Sequence, residues 1–152
     1  MIIRPALEAD IPALQTLLRN SWLTNWAPHL PFVAVQRFAA QDDAGNYAKD
    51  KWQEFIVADD GGTLLGMFHV EGEHLHAIHL DWRSKRRGIG TALMDEVERT
   101  IAQHHPRAVL EVRAFNTGAI AFYEQRGWQK TRNYLDPEMG EPVDTFEMIK
   151  VF

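Results

Sequence analysis

The stretch HLHAIHLDWRSKRRGIGTALM, His74 to Met94, carries histidines at 74, 76 and 79, a run of basic residues, and Gly88 and Gly90 around one apolar residue. Imidazole exchanges protons near neutral pH, so histidines two apart on a strand are candidate general bases. The glycines let a backbone approach a ligand with no Cβ in the way. A helix that starts there aims unpaired N–H groups and its positive dipole end at that ligand. Such a turn suits an anion, pyrophosphate above all, and Arg86 and Arg87 could add charge. The glycines alone are equally compatible with a tight strand-to-helix turn that binds nothing. A P-loop is excluded by the missing Gly-Lys-Ser/Thr, and the dinucleotide fingerprint by the missing third glycine.

These residues sit in a chain of 152 with a formal charge of -5, 45% hydrophobic and 24% charged residues. That length suits one domain spanning residues 1–152. The acidic balance argues against a nucleic-acid partner and for a cationic or amine partner. With no cysteine, thiolate metal sites, disulfides and a cysteine-bound acyl intermediate are all excluded, and no metal is expected. No apolar run is long enough for a membrane span, and the amino terminus lacks a secretory pattern, so no membrane partner and a cytoplasmic location are expected.

The elements that must position the motif follow from periodicity. MIIRP reads as a strand stopped by Pro5. Asp10 stands as the N-cap of a helix whose stripe is Ile11, Leu14, Leu17, Leu18 and Trp22. Short helices are expected over 33–40 and 44–52, then a hairpin turning at DDGG, the strand HLHAIHLD, a helix from Gly88, the strand AVLEVRAF, a helix closed by Gly127, and two final strands. The order predicts a mixed α/β (α+β) fold: a mostly antiparallel central sheet of about seven strands flanked by helices. On a strand of period two, His74, His76, Ile78 and Leu80 face one way and Leu75, Ala77 and His79 the other.

Downstream, LEVRAFNTGAIAFYEQRGW sharpens the reading. Together the two stretches resemble the GCN5-related N-acetyltransferase (GNAT) family, in its glycine cradle after a strand and in its following strand, asparagine and FYE…G helix end. Lys85 stands where the family prefers Gln or Arg, and Trp82 where a proline often precedes the cradle. The resemblance implies the GNAT-like acyl-CoA N-acyltransferase fold and acetyl-CoA as co-substrate. It implies that the main chain of Ile78, His79 and Leu80 pairs with the pantetheine arm, and that the amides of Arg86, Arg87, Gly88, Ile89, Gly90 and Thr91 hold the pyrophosphate. By the same resemblance Asn116 touches the cofactor arm and Tyr123 protonates the departing thiolate.

An amine acceptor explains the imidazoles. A lysine-like ammonium is neutral in only about one molecule in 10³ at pH 7, so a group must take its proton. The paired histidines resemble those of the arylalkylamine acetyltransferases, which implies His76 first and His74 second as base. Glu111 is the rival, by similarity to the ribosomal-protein alanine acetyltransferases. The absence of cysteine favours direct attack in a ternary complex.

The resemblance puts the acceptor between the first helices, rich in aromatics (Trp22, Trp26, His29, Phe32, Phe38, Tyr47, Trp52), and the last hairpin, 134–145. A small-molecule amine and a peptide amine both remain open, and the family's habit of homodimerising is compatible with this chain. The alternative function is a non-catalytic acyl-CoA-binding sensor or interaction module.

Overall fold

The computed structural model describes residues 1–84 and 87–152. Strand β1 (Ile2–Pro5) is followed by α1 (Ile11–Asn25), α2 (Phe32–Gln41) and α3 (Asp43–Lys51). Then come β2 (Phe55–Asp60), β3 (Thr63–Glu71), β4 (His74–Leu80), α4 (Ile89–Ala102), β5 (Arg107–Arg113), α5 (Thr117–Gln125), β6 (Gln129–Glu138) and β7 (Glu141–Val151). The seven strands lie in the order β1-β2-β3-β4-β5-β7-β6. Every neighbouring pair is antiparallel except β4 with β5, which is the mixed sheet the sequence predicts.

Helices cover both faces. α1 and α3 lay Leu14, Leu17, Leu18 and Ala48 on Phe55, Val57 and Met67. On the other face α4 and α5 lay Leu93, Met94, Val97 and Ile120 on Phe68, Leu75, Leu110 and Met148. Each large side chain so buried contributes roughly 1.5–3 kcal/mol. Among the described residues no helix is long and apolar enough to cross a membrane.

Two local expectations change. Asp10 stands at the N-cap position of α1, but its side chain does not cap. Its Oδ2 accepts from Leu7 N (2.7 Å) and Arg4 Nη1 (2.8 Å), which ties β1 to the helix start. The last hairpin is also longer than read, with β6 reaching Glu138, β7 beginning at Glu141, and Pro137 opposite Pro142. Prolines read as strand breaks, but β7 pairs with β5 only from Thr145 onward, so its early residues need hydrogen bonds on one side alone.

Candidate active site

Strands β4 and β5 run parallel and pair at His74–Val109, with Val109 N donating to Glu73 O at 2.9 Å, before they diverge. β4 stays registered on β3 as far as Leu80, and β5 on β7 along its whole length. The gap between them is a cavity of about 250 Å³ lined by Ile78, Glu111, Asn116 and Tyr123 among others. Asp81 N donates to Leu65 O on β3, and the carbonyl of His79 also faces β3, near Gly66. By alternation, the main-chain groups of Ile78 and Leu80 face the gap. His79 lies in register with Met67, so its main-chain groups face β3 rather than the gap.

The faces of β4 differ from the simple alternation. The β3–β4 register shifts so that His69 pairs with Ala77 while Val70 pairs with Leu75, leaving His76 as an extra residue in a β-bulge. Leu75 and Ile78 consequently both pack toward α4 and α5. His74, His76 and His79 turn toward the opposite face. The His74 and His76 rings lie 4.2 Å apart, His76 lies 5.1 Å from His69, and His79 lies 5.5 Å from Trp26.

The three histidines have different surroundings. His74 Nε2 hydrogen-bonds to Glu111 Oε2. That bond pushes the imidazole pKa up and the carboxyl pKa down, so the two form an ion pair. His76 lines the gap, is about a third exposed at its side chain, and shares a 3.1 Å contact between Nε2 and Glu71 Oε2. His79 bonds Ser21 Oγ through Nδ1 at 2.8 Å, and burial pushes its pKa down to about 4, so it stays neutral.

The glycine turn has the geometry of an anion cradle. Gly88 has φ +74°, a left-handed conformation that side chains disfavour. A Cβ at Gly90 would sit 3.3 Å from Leu80 Cδ1. The bond from Ala92 N to Gly88 O (3.0 Å) leaves the amides of Ile89, Gly90 and Thr91 without an intrahelical partner. Ile89 anchors this turn in the core, whereas Thr91 is exposed. Arg87 Nη2 is held by Asp60 Oδ2 at 2.8 Å, so its charge is shared with the β2–β3 hairpin. Lys85 and Arg86 lie outside the described residues, and with them the expectation for Arg86.

A second cavity of about 280 Å³ runs from this turn past Leu80, Asn116 and Phe122 to Tyr123. Asn116 Oδ1 caps α5 by accepting from Ala119 N (3.4 Å), which leaves its Nδ2 as a donor. Tyr123 lines both this cavity and the gap, and burial pushes its phenol up to about 12. A third cavity, about 550 Å³, opens on the helix side between Trp22, Trp26, Phe38, Tyr47, His76 and Glu138. Trp26 and His79 line all three.

The family model described as Acetyltransferase (GNAT) domain matches residues 28–139. The chain belongs to the GNAT acetyltransferase family. The family makes it an acetyltransferase that uses acetyl-CoA, and the turn at Gly88 and Gly90 has the shape to hold that co-substrate's pyrophosphate. The peptidyl-lysine N-acetyltransferase YiaC of Escherichia coli (strain K12) is 32% identical over 131 residues, 84% of this chain and 82% of the relative. A GCN5-related N-acetyltransferase structure from Rhodopseudomonas palustris superposes with a TM-score of 0.82 at 19% identity, covering 99% of this chain and 95% of that one. The PaiA N-acetyltransferase of Thermoplasma acidophilum, in complex with coenzyme A, gives 0.80 at 18% identity, covering 99% and 98%.

In this GNAT chain the first helices and the last hairpin are bridged across the third cavity. Trp22 Nε1 donates to Glu138 Oε1 (2.8 Å), and Arg37 Nη1 donates to Met139 O (2.8 Å) and Glu141 Oε1 (3.2 Å). Trp22 stacks on Phe38 at 3.9 Å and both line the cavity wall, whereas away from it His29 stacks on Phe115 at 4.4 Å and Phe32 is exposed. The reading from sequence missed Glu138, Arg113 and the His79 imidazole. Arg113 holds Asp136 (2.9 Å), Thr145 (2.8 Å) and Glu138 (3.0 Å) in place at the mouth of the gap. No local motif marks these residues, because the hairpin and the bulge bring them in.

Proposed function

We propose that this GNAT acetyltransferase moves the acetyl group of acetyl-CoA directly to the side-chain amine of a peptide lysine within a ternary complex. The observation that carries this is the position of Tyr123 where the gap meets the α4–α5 cavity, with the helix-side cavity opening beyond Trp26 and His79. The cofactor arm would take the place along β4 that β5 vacates, bonding the main chain of Ile78 and Leu80. The amides of the Gly88–Thr91 turn would hold the pyrophosphate, and Asn116 Nδ2 would donate to the arm.

The acceptor would enter from the helix side, its methylenes against Trp22, Trp26 and Phe38 and its ammonium drawn by Glu138 and Glu71. His76 would take the ammonium proton, directly or through a water, while Glu71 orients the ring. Direct attack by the neutral amine on the thioester carbonyl then expels a thiolate, with a reference pKa of about 8.5. The Tyr123 hydroxyl, fully protonated at neutral pH with its pKa near 12, would return a proton to that sulfur. His74 and Glu111 neutralise one another, which supports a supporting role for both and favours His76 as the base. The name of the relative YiaC favours lysine over a small amine.

The test is CoA release from acetyl-CoA with lysine peptides blocked at their amino terminus, set beside aryl amines, polyamines, aminoglycosides and free amino acids. The reading expects release with the lysine peptides and acetyl-lysine in the product by mass spectrometry. Release with small amines alone would move the acceptor class. Tight cofactor binding with no acceptor-dependent release would favour a cofactor-binding module.

A further inference from the structure

The gap between β4 and β5 and the helix-side cavity share Trp26, His76, Ala77, His79 and Glu138 in their linings, whereas Tyr123 lines the gap and not the helix-side cavity. An acceptor that enters from the helix side therefore passes a neck to reach Tyr123. Trp26 and β4 form one side of it, and Glu138, at the end of β6, forms the other. Glu138 is pinned there from two directions. Its Oε1 accepts from Trp22 Nε1 on α1 at 2.8 Å, and its Oε2 accepts from Arg113 Nη2 at the end of β5 at 3.0 Å. Arg113 is itself held, since its Nη1 donates to Asp136 Oδ2 (2.9 Å) and Thr145 Oγ1 (2.8 Å). The tip beyond Glu138 is latched onto α2, where Arg37 Nη1 donates to Met139 O at 2.8 Å. Gly140 follows with φ +83°, and a Cβ there would stand 2.7 Å from Arg37 Nη1, so the close fit of tip and guanidinium favours glycine.

We propose that the pinned Glu138 determines acceptor specificity by fixing the width of this neck. A primary amine on an unbranched chain passes, and an amine on a branched carbon is turned away. This role rests on the reading that a peptide lysine enters from the helix side. A free carboxylate at the end of a hairpin would swing aside for a bulkier amine by changing rotamer. Glu138 moves only by breaking a charge-assisted hydrogen bond to Arg113 and by leaving the indole N–H of Trp22, a residue 7% exposed, without its acceptor. A lysine side chain presents a run of methylenes ending in a primary amine, the slender shape. The α-amine of a peptide stands on a carbon that also carries a side chain and a carbonyl, the branched one.

The test compares acceptors that differ by a branch beside the nitrogen: pentylamine against 2-aminohexane, and a blocked lysine peptide against an unblocked peptide without lysine. Wild type favours the unbranched member of each pair in kcat/KM by roughly tenfold or more. Glu138→Ala removes the post, and Glu138→Asp keeps its charge but is too short to reach Trp22 and Arg113 together. Both lower the preference to roughly twofold or less. Glu138→Gln fills the same space and stays tied to Arg113 through its carbonyl oxygen. It lowers kcat/KM for both amines alike, through the lost charge, and keeps the preference. A wild type indifferent to branching, a preference unchanged in Glu138→Asp and Glu138→Ala, or one lost in Glu138→Gln as fully as in Glu138→Ala overturns the proposal. Lysine peptides acetylated with a preference that ignores position 138 remove the gate and keep the lysine reading. Turnover of polyamines and pentylamine without lysine peptides, with the preference still set by position 138, removes the lysine reading and keeps the gate.

Discussion

His76 Nε2 sits 3.1 Å from Glu71 Oε2 because His76 is the one residue of β4 without an opposite number on β3. The bulge turns its ring out of the strand's alternation and toward both the gap and the helix-side cavity. If His76 is the base, His76→Ala lowers kcat by about 10²-fold or more and abolishes the acidic limb of the pH–rate profile. A variant that keeps that limb passes the role to Glu111 or His74.

Tyr123→Phe removes one hydroxyl from a side chain packed in the core, so the fold and acetyl-CoA affinity stay near wild type. Loss of the acid lowers kcat by about 10²-fold. Equal turnover in the two proteins would show that the thiolate leaves unprotonated or is served by another group.

Gly90→Leu pushes a side chain into the space between the α4 start and Leu80, where even a Cβ stands 3.3 Å from Leu80 Cδ1. Calorimetry should show acetyl-CoA binding lost, while acceptor-side variants such as Phe38→Ala, whose side chain lines the helix-side cavity alone, leave it intact and raise the acceptor KM. Unaltered cofactor affinity in Gly90→Leu would place the pyrophosphate elsewhere.

The His74–Glu111 pair makes stability depend on pH. His74 has its pKa raised above the ordinary 6.5, so its contribution is full below pH 6.5 and is lost as pH rises through the higher folded value. Glu111 has its pKa lowered below the ordinary 4.5, so its contribution is full above pH 4.5 and is lost as pH falls through the lower folded value. The Tm advantage of wild type over His74→Gln is therefore greatest between pH 4.5 and 6.5. A difference that does not vary with pH would mean the pair is not charged as described.

The glycine turn, the helix after it and the succession of strands and helices along the chain were legible from residue order alone. Gly88, Gly90, Asn116 and Tyr123 lie in contiguous motifs whose periodicity marks a strand running into a helix, and local backbone preference carries that information. The acceptor wall was legible only in outline. The aromatics of the first helices announced a cavity wall, but the bond from Trp22 to Glu138 that closes it joins residues 116 positions apart.

The amino-acid sequence by itself determined the elements, the family motifs and the types of the proton-transfer groups. Tertiary structure alone decided which histidine faces the site. A period-two pattern cannot show an inserted residue, and the bulge at His76 exists only in the register between β3 and β4. It likewise decided that His74 is tied to Glu111, that burial keeps His79 neutral, and that Glu54, His69 and Glu71 converge on one point. Each of these depends on distances between strands and helices far apart in the chain, which residue order does not encode locally.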